Sequence, residues 1–123
     1  MIGYTTLGVK DMDRAKSFYS ELFADQGAKV LVDMGRIAMI GKDMKTPMVA
    51  VCVPYNEEAP NPGNGNMLAF PAGSKEGADK MYAKAIELGA TCDGPPGQRV
   101  PDMFYGGYVK DLDGNKLAFF DFS

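Results

Sequence analysis

Histidine and tryptophan are absent from this 123-residue chain, and only two cysteines occur. The missing histidine removes at once the commonest general base near neutral pH and the commonest metal ligand. Cys52 and Cys92 are too few and too far apart for a disulfide framework. In a reducing cytosol they read as two free, mostly buried thiols. No apolar run approaches the roughly 20 residues of a membrane span, and Met1-Ile2-Gly3-Tyr4 has neither a basic region nor a signal-like apolar core. The expected location is the cytoplasm, with no membrane partner. Charge of one sign is never concentrated either. Thirteen basic and 16 acidic residues give a net charge of −3, and Lys10, Arg14 and Lys16 are interleaved with Asp11, Asp13 and Glu21. That pattern suits a solvated helix face and argues against nucleic acid as a partner.

Catalytic signatures are equally scarce. The chain has no phosphate-cradling glycine loop, no G-x-S-x-G elbow and no cysteine with a base partner. Glu57 and Glu58 fall in a stretch rich in Pro and Asn, and Asp111 and Asp113 fall in a turn, where Asp serves local backbone hydrogen bonds. Both pairs read as structural.

What is present is an ordinary globular balance, 46% apolar and 24% charged, on a length that buries about two-thirds of its unfolded surface in one domain. From Ile2 to Val9 the residues alternate as a half-buried strand does, and Asp11 then caps a helix whose Ala15, Phe18, Tyr19 and Leu22 share one stripe. Three strand candidates follow: Lys29 to Asp33, Arg36 to Gly41 and Pro47 to Val53, the first two joined by a tight turn at Met34-Gly35. Tyr55 to Asn66 collects Pro, Gly, Asn and Glu and reads as a linker.

The pattern then restarts. Asn66 to Pro71 is a strand candidate, Ser74 an N-cap, and Ala78, Met81, Ala85 and Leu88 a helical stripe closed by Gly89. Thr91-Cys92, Phe104 to Lys110 and Lys116 to Phe122 supply further strands, with a hairpin at Asp111-Leu112-Asp113-Gly114-Asn115. An internal duplication accounts for the order most simply: module one over about 1–55, a linker over about 56–65 and module two over about 66–123.

Leu7-Gly8-Val9-Lys10-Asp11 leading to Ala15, Phe18 and Tyr19, and Gly107-Tyr108-Val109-Lys110-Asp111-Leu112-Asp113-Gly114-Asn115-Lys116-Leu117 near the end, resemble the vicinal-oxygen-chelate superfamily of glyoxalase, bleomycin-resistance and dioxygenase proteins. The resemblance spans nearly the whole chain. It implies an α+β fold of two tandem βαβββ modules forming curved mixed sheets around a cleft, often completed by a second subunit, so a homodimer is expected. Its members include lactoylglutathione lyase, extradiol dioxygenases, fosfomycin-inactivating transferases, methylmalonyl epimerases and metal-free drug-binding proteins. In the metal enzymes, His or Glu side chains from defined strands hold a divalent ion in the cleft.

Carried over position by position, those ligands fall at Tyr4, at about Met67 and at Ala118, and the remaining one falls within Pro47 to Val53, where only Cys52 carries a donor. Neither a metal nor another cofactor is therefore expected. Tyr4, Met67 and Ala118, with Phe120 and Phe122 on the pleat of Ala118, predict an apolar, aromatic cleft. Arg99, in the segment Gly94 to Tyr105, is the candidate clamp for a ligand carboxylate, and Tyr105 and Tyr108 are candidates to stack or hydrogen-bond. The reading that results is a metal-independent small-molecule binding protein. The alternative is a glyoxalase-like lyase, isomerase or dioxygenase acting on a small oxygenated substrate, in which a tyrosine supplies the proton.

Overall fold

The computed structural model describes residues Met1–Ser123. The chain forms two compact units, Met1–Pro62 and Gly63–Ser123. Each runs strand, helix, three strands and carries its own four-stranded mixed sheet, so the α+β architecture of two βαβββ modules holds. Neither helix is long and apolar enough to cross a membrane.

In the first unit, β1 (Tyr4–Gly8) is followed by α1 (Met12–Leu22), a 3-10 turn (Ala24–Gln26), β2 (Lys29–Asp33), β3 (Ile37–Gly41) and β4 (Met48–Cys52). The strand order is β1-β4-β3-β2, with β1 parallel to β4 and the remaining pairs antiparallel. Asp11 starts α1 by accepting the amide of Arg14 at 3.0 Å. Ala15, Phe18, Tyr19 and Leu22 are then brought onto one face and buried, as a 3.6-residue period requires. Phe18 and Tyr19 meet edge to face at 4.9 Å, and each large side chain buried here stabilises the unit by about 1.5–3 kcal/mol. The tight turn after β2 uses Gly35 at φ 82°, and Asp33 accepts the Gly35 amide at 3.0 Å.

The second unit consists of β5 (Leu68–Pro71), α2 (Lys75–Glu87), β6 (Thr91–Val100), β7 (Phe104–Lys110) and β8 (Lys116–Asp121), in the order β5-β8-β7-β6. Ser74 caps α2 through the amide of Gly77 at 2.9 Å. Ala78, Met81 and Ala85 are the buried helix residues, and Val109, Leu117 and Phe119 are fully buried in the sheet.

Two local expectations are corrected. The segment after Cys92, with its prolines and glycines, was expected to be a loop, yet β6 extends to Val100. As an edge strand it tolerates Pro95 and Pro96, which fall in the irregularity between the paired residues Gly94 and Gly97, one of three register shifts against β7. The Gln98 amide nitrogen ties this strand down by donating to the carbonyls of Val100, Phe104 and Ser123 at 2.9, 3.2 and 2.6 Å. Of the two thiols expected to be buried, Cys52 is, whereas Cys92 is exposed.

The β7–β8 turn depends on one carboxylate. Asp111 Oδ1 accepts the amides of Asp113 and Asn115 at 2.9 and 2.8 Å, and Oδ2 accepts Asn115 Nδ2 at 3.0 Å. Asp111 and Asn115 are only 5% and 6% exposed, so losing the carboxylate strands donors away from water. Replacing Asp111 by Ala is expected to lower stability by about 2–3 kcal/mol, read as a shifted denaturation midpoint at unchanged m-value. A loss below about 0.5 kcal/mol is inconsistent with that role.

Candidate functional site

Strand alternation gives each sheet two faces with different duties. In the first unit the register pairs Tyr4 with Met48, Thr6 with Ala50 and Gly8 with Cys52, and sets Ile37 beside Cys52 and Met39 beside Ala50. These residues share the pleat that points away from α1. The segment after β4 folds back over this face. Pro60 lies so near β1 that a Cβ on Gly8 would sit 2.9 Å from Pro60 Cβ. The stretch expected to be a plain linker is thus, over Pro54 to Asn61, the wall of a cavity.

That cavity has a volume of about 580 Å³. Its floor is Thr6 and Gly8 on β1, Ile37 on β3 and Cys52 on β4, and its wall is Pro54, Tyr55, Asn56, Glu58, Ala59, Pro60 and Asn61. Arg36 stands at the rim. Its Nη1 donates to the Val53 carbonyl at 3.0 Å, and its guanidinium carbon lies 5.5 Å from the centre of the Tyr55 ring. An exposed cation–π contact of this kind contributes about 0.5–1 kcal/mol and, with the hydrogen bond, fixes where the guanidinium points. Glu58 is held by its neighbours: its amide donates to Asn56 Oδ1 at 3.1 Å, and its Oε2 accepts Asn56 Nδ2 at 3.4 Å.

On the second sheet, Phe104, Tyr108, Ala118 and Phe120 share the face opposite α2. Phe104 and Phe120 stack at 5.3 Å, and Phe122 packs against both, at 6.1 and 4.8 Å. Tyr108 is flanked by two cations, Arg99 at 5.3 Å and Lys116 at 5.1 Å from its ring centre. Arg99 also donates to the Pro95 carbonyl, and Lys116 pairs with Asp93 at 3.1 Å.

The residues singled out from sequence are therefore distributed as follows. Tyr4 belongs to the first unit and the other six to the second. Tyr4 is half exposed on β1, Met67 is exposed just before β5, and Ala118 is wholly buried opposite Tyr108 and Ala69. Arg99 does meet Tyr108, and Phe120 does lie in an aromatic group. Tyr105 does not join them. Alternation turns it to the helix side, where its hydroxyl donates to Asp79 of α2 at 2.6 Å. None of the seven lines the cavity of the first unit. Thr6 was legible there, being on the pleat of Tyr4, but Arg36, Tyr55 and Glu58 lie in turns whose path no periodicity reveals.

The divalent ion of the metal-binding relatives does not fit these residues. Tyr4, Met67 and Ala118 stand at the expected ligand positions, the cavity lining adds only the Glu58 carboxylate and the Cys52 thiol, and no group of three or more Cys, Asp or Glu is placed to hold a metal.

Two four-stranded mixed sheets, each built in βαβββ order and each carrying one helix, define the glyoxalase class of α+β proteins. The chain belongs to the glyoxalase/bleomycin resistance protein/dioxygenase superfamily, whose profile matches residues 1–119. A glyoxalase/bleomycin resistance protein from Albidiferax ferrireducens T118 is 31% identical, with a TM-score of 0.87 over 100% of this chain and 99% of that one. A glyoxalase/bleomycin resistance protein/dioxygenase family enzyme from Burkholderia phytofirmans PsJN shares the fold at 18% identity and TM-score 0.81, covering 98% of both chains. The lactoylglutathione lyase from Agrobacterium tumefaciens does so at 19% and 0.72, covering 98% of this chain and 92% of that one. No curated protein matches the sequence.

Two outcomes follow from the geometry. Gly8→Ala pushes Pro60 off β1, so amide exchange across 54–61 rises while that of the second unit stays unchanged; no change there overturns the packing account. The Tyr105 phenol is raised above its usual value of 10.0, first by its hydrogen bond to Asp79 and then by desolvation. A group raised in this way contributes stability that is complete below its unfolded value and is lost as pH rises through the folded one. Ultraviolet titration of the Tyr105→Phe variant should therefore lack one of the tyrosine steps that lie above 10.0 in the parent.

Proposed function

We propose that this chain is a metal-independent small-molecule binding protein and that its ligand enters the cavity of the first unit. The observation that carries this reading is the cavity itself. Its volume of about 580 Å³ lies within the roughly 300–1,000 Å³ of small-molecule sites, and its lining mixes apolar side chains with a few fixed polar groups. The missing ligand set supports metal independence, since Tyr4, Met67 and Ala118 have no ordinary metal-binding chemistry. The expected apolar, aromatic character belongs instead to the second sheet, at Phe104, Phe120 and Phe122.

The competing lyase, isomerase or dioxygenase reading needs a tyrosine to give up a proton near neutral pH. Tyr105 is unsuited, because its hydroxyl is already committed to Asp79 and titrates higher than a free phenol. A homodimer in the cytoplasm completes the proposal, with exposed Met34, Met103 and Phe122 as apolar surface available to a second copy.

Purified protein is expected to carry no stoichiometric divalent ion and to melt at the same temperature with and without a chelator. In a thermal-shift screen, a ligand at 100 times its Kd stabilises by about 2.7 kcal/mol, and Thr6→Phe, which fills the cavity floor, abolishes the shift. A bound stoichiometric ion whose removal lowers the melting temperature defeats metal independence. A ligand whose shift survives Thr6→Phe defeats the placement.

A further inference from the structure

We infer that the cavity of the first unit selects a small organic anion with a flat apolar body, and that Arg36 is the residue that reads its charge. This rests on the cavity being the ligand site. Arg36 and Glu58 are the only charged side chains lining that cavity, and they are differently disposed. Glu58 already accepts from Asn56 Nδ2 and sits in a turn fixed by its own amide. Arg36 spends an N–H on the Val53 carbonyl, pairs with no carboxylate, and lines the cavity.

Both of its contacts act on orientation. The Val53 carbonyl lies immediately after β4, whose five residues are all buried, so the anchor is rigid. The Tyr55 ring lies 5.5 Å from the guanidinium carbon and the Val53 carbonyl takes one Nη1–H, so the remaining N–H groups of the fork are left to serve a carboxylate or sulfonate. Ile37 and Cys52 in the floor and Pro60 in the wall offer apolar surface to the body of such a ligand rather than to a sugar or a polyamine.

The same device occurs a second time in the chain. Arg99 near the end of β6 stacks on Tyr108 and donates to the carbonyl of Pro95, again with no carboxylate partner. There, however, Lys116 and Asp93 flank the same ring as an ion pair. Arg99 is thus the natural internal control, since an anion drawn by surface charge alone responds to it as much as to Arg36.

The test uses two fluorescent probes on the full chain: 1-anilinonaphthalene-8-sulfonate, and N-phenyl-1-naphthylamine, which is the same planar body without the sulfonate. The expected result is saturable binding of both by the parent protein, tighter for the sulfonate. Arg36→Met weakens the sulfonate by about tenfold or more, the scale of one lost charge-assisted pair, and leaves the neutral probe within about twofold. Arg99→Met leaves both within twofold, and Glu58→Gln tightens the sulfonate only. Circular dichroism melting confirms that each variant is folded.

Equal loss of both probes in Arg36→Met, or an equal effect of Arg99→Met on the sulfonate, overturns the inference. Binding of the neutral probe that Thr6→Phe removes, together with a sulfonate indifferent to Arg36, overturns the charge selection while the cavity reading survives. Failure of the folded parent protein to bind either probe overturns both.

Discussion

One helix covers only one face of a four-stranded sheet, and that inequality governs both halves of this protein. A strand turns its side chains alternately to two sides, so every residue that faces α1 or α2 has a neighbour facing the other way. The helix side is settled by packing: Phe18, Tyr19 and Leu22 against the first sheet, Met81 and the small Ala78 and Ala85 against the second. The other side is where the two units diverge. The first draws its own chain back across the sheet, with Pro60 seated on Gly8, and the second furnishes its face with the rings of Phe104, Tyr108, Phe120 and Phe122. A cavity with polar walls and an aromatic surface are two answers to the same exposed pleat.

The absence of histidine acquires a structural meaning in that setting. At the positions where the family resemblance leads one to expect ligands stand a half-exposed tyrosine, an exposed methionine and a buried alanine. Ala118 in particular is buried, and its cross-strand neighbour Tyr108 is flanked by Arg99 and Lys116.

Both helices and most strand centres were legible because they follow periodicity. Ala15, Phe18, Tyr19 and Leu22 mark one stripe, Asp11 and Ser74 mark the caps, and the D-x-D-G-N turn announces the last hairpin. Illegible were the features in which one segment answers another far away in sequence. Pro95, Pro96 and Gly97 have the composition of a loop and are a strand only because β7 lies beside them to receive it. Tyr55 to Asn61 has the composition of a linker and is a cavity wall only because Gly8 leaves room. Tyr105 and Tyr108 look equivalent in sequence, yet their odd spacing sends them to opposite faces. The family resemblance anticipated the two βαβββ modules and said nothing about Arg36, which precedes β3.

In each unit the first strand pairs in parallel with the last: β1 with β4, and β5 with β8. Contacts of such long sequence separation close slowly, because the entropy of the intervening chain is spent before any pairing returns it. During synthesis β1 must therefore wait, with its edge unpaired, while the helix and two further strands emerge, and its polar Thr5 and Thr6 make that wait safer than an apolar edge would. Each sheet is thus complete only when its final strand arrives, and a chain without β4 or β8 leaves β1 or β5 with no strand to pair.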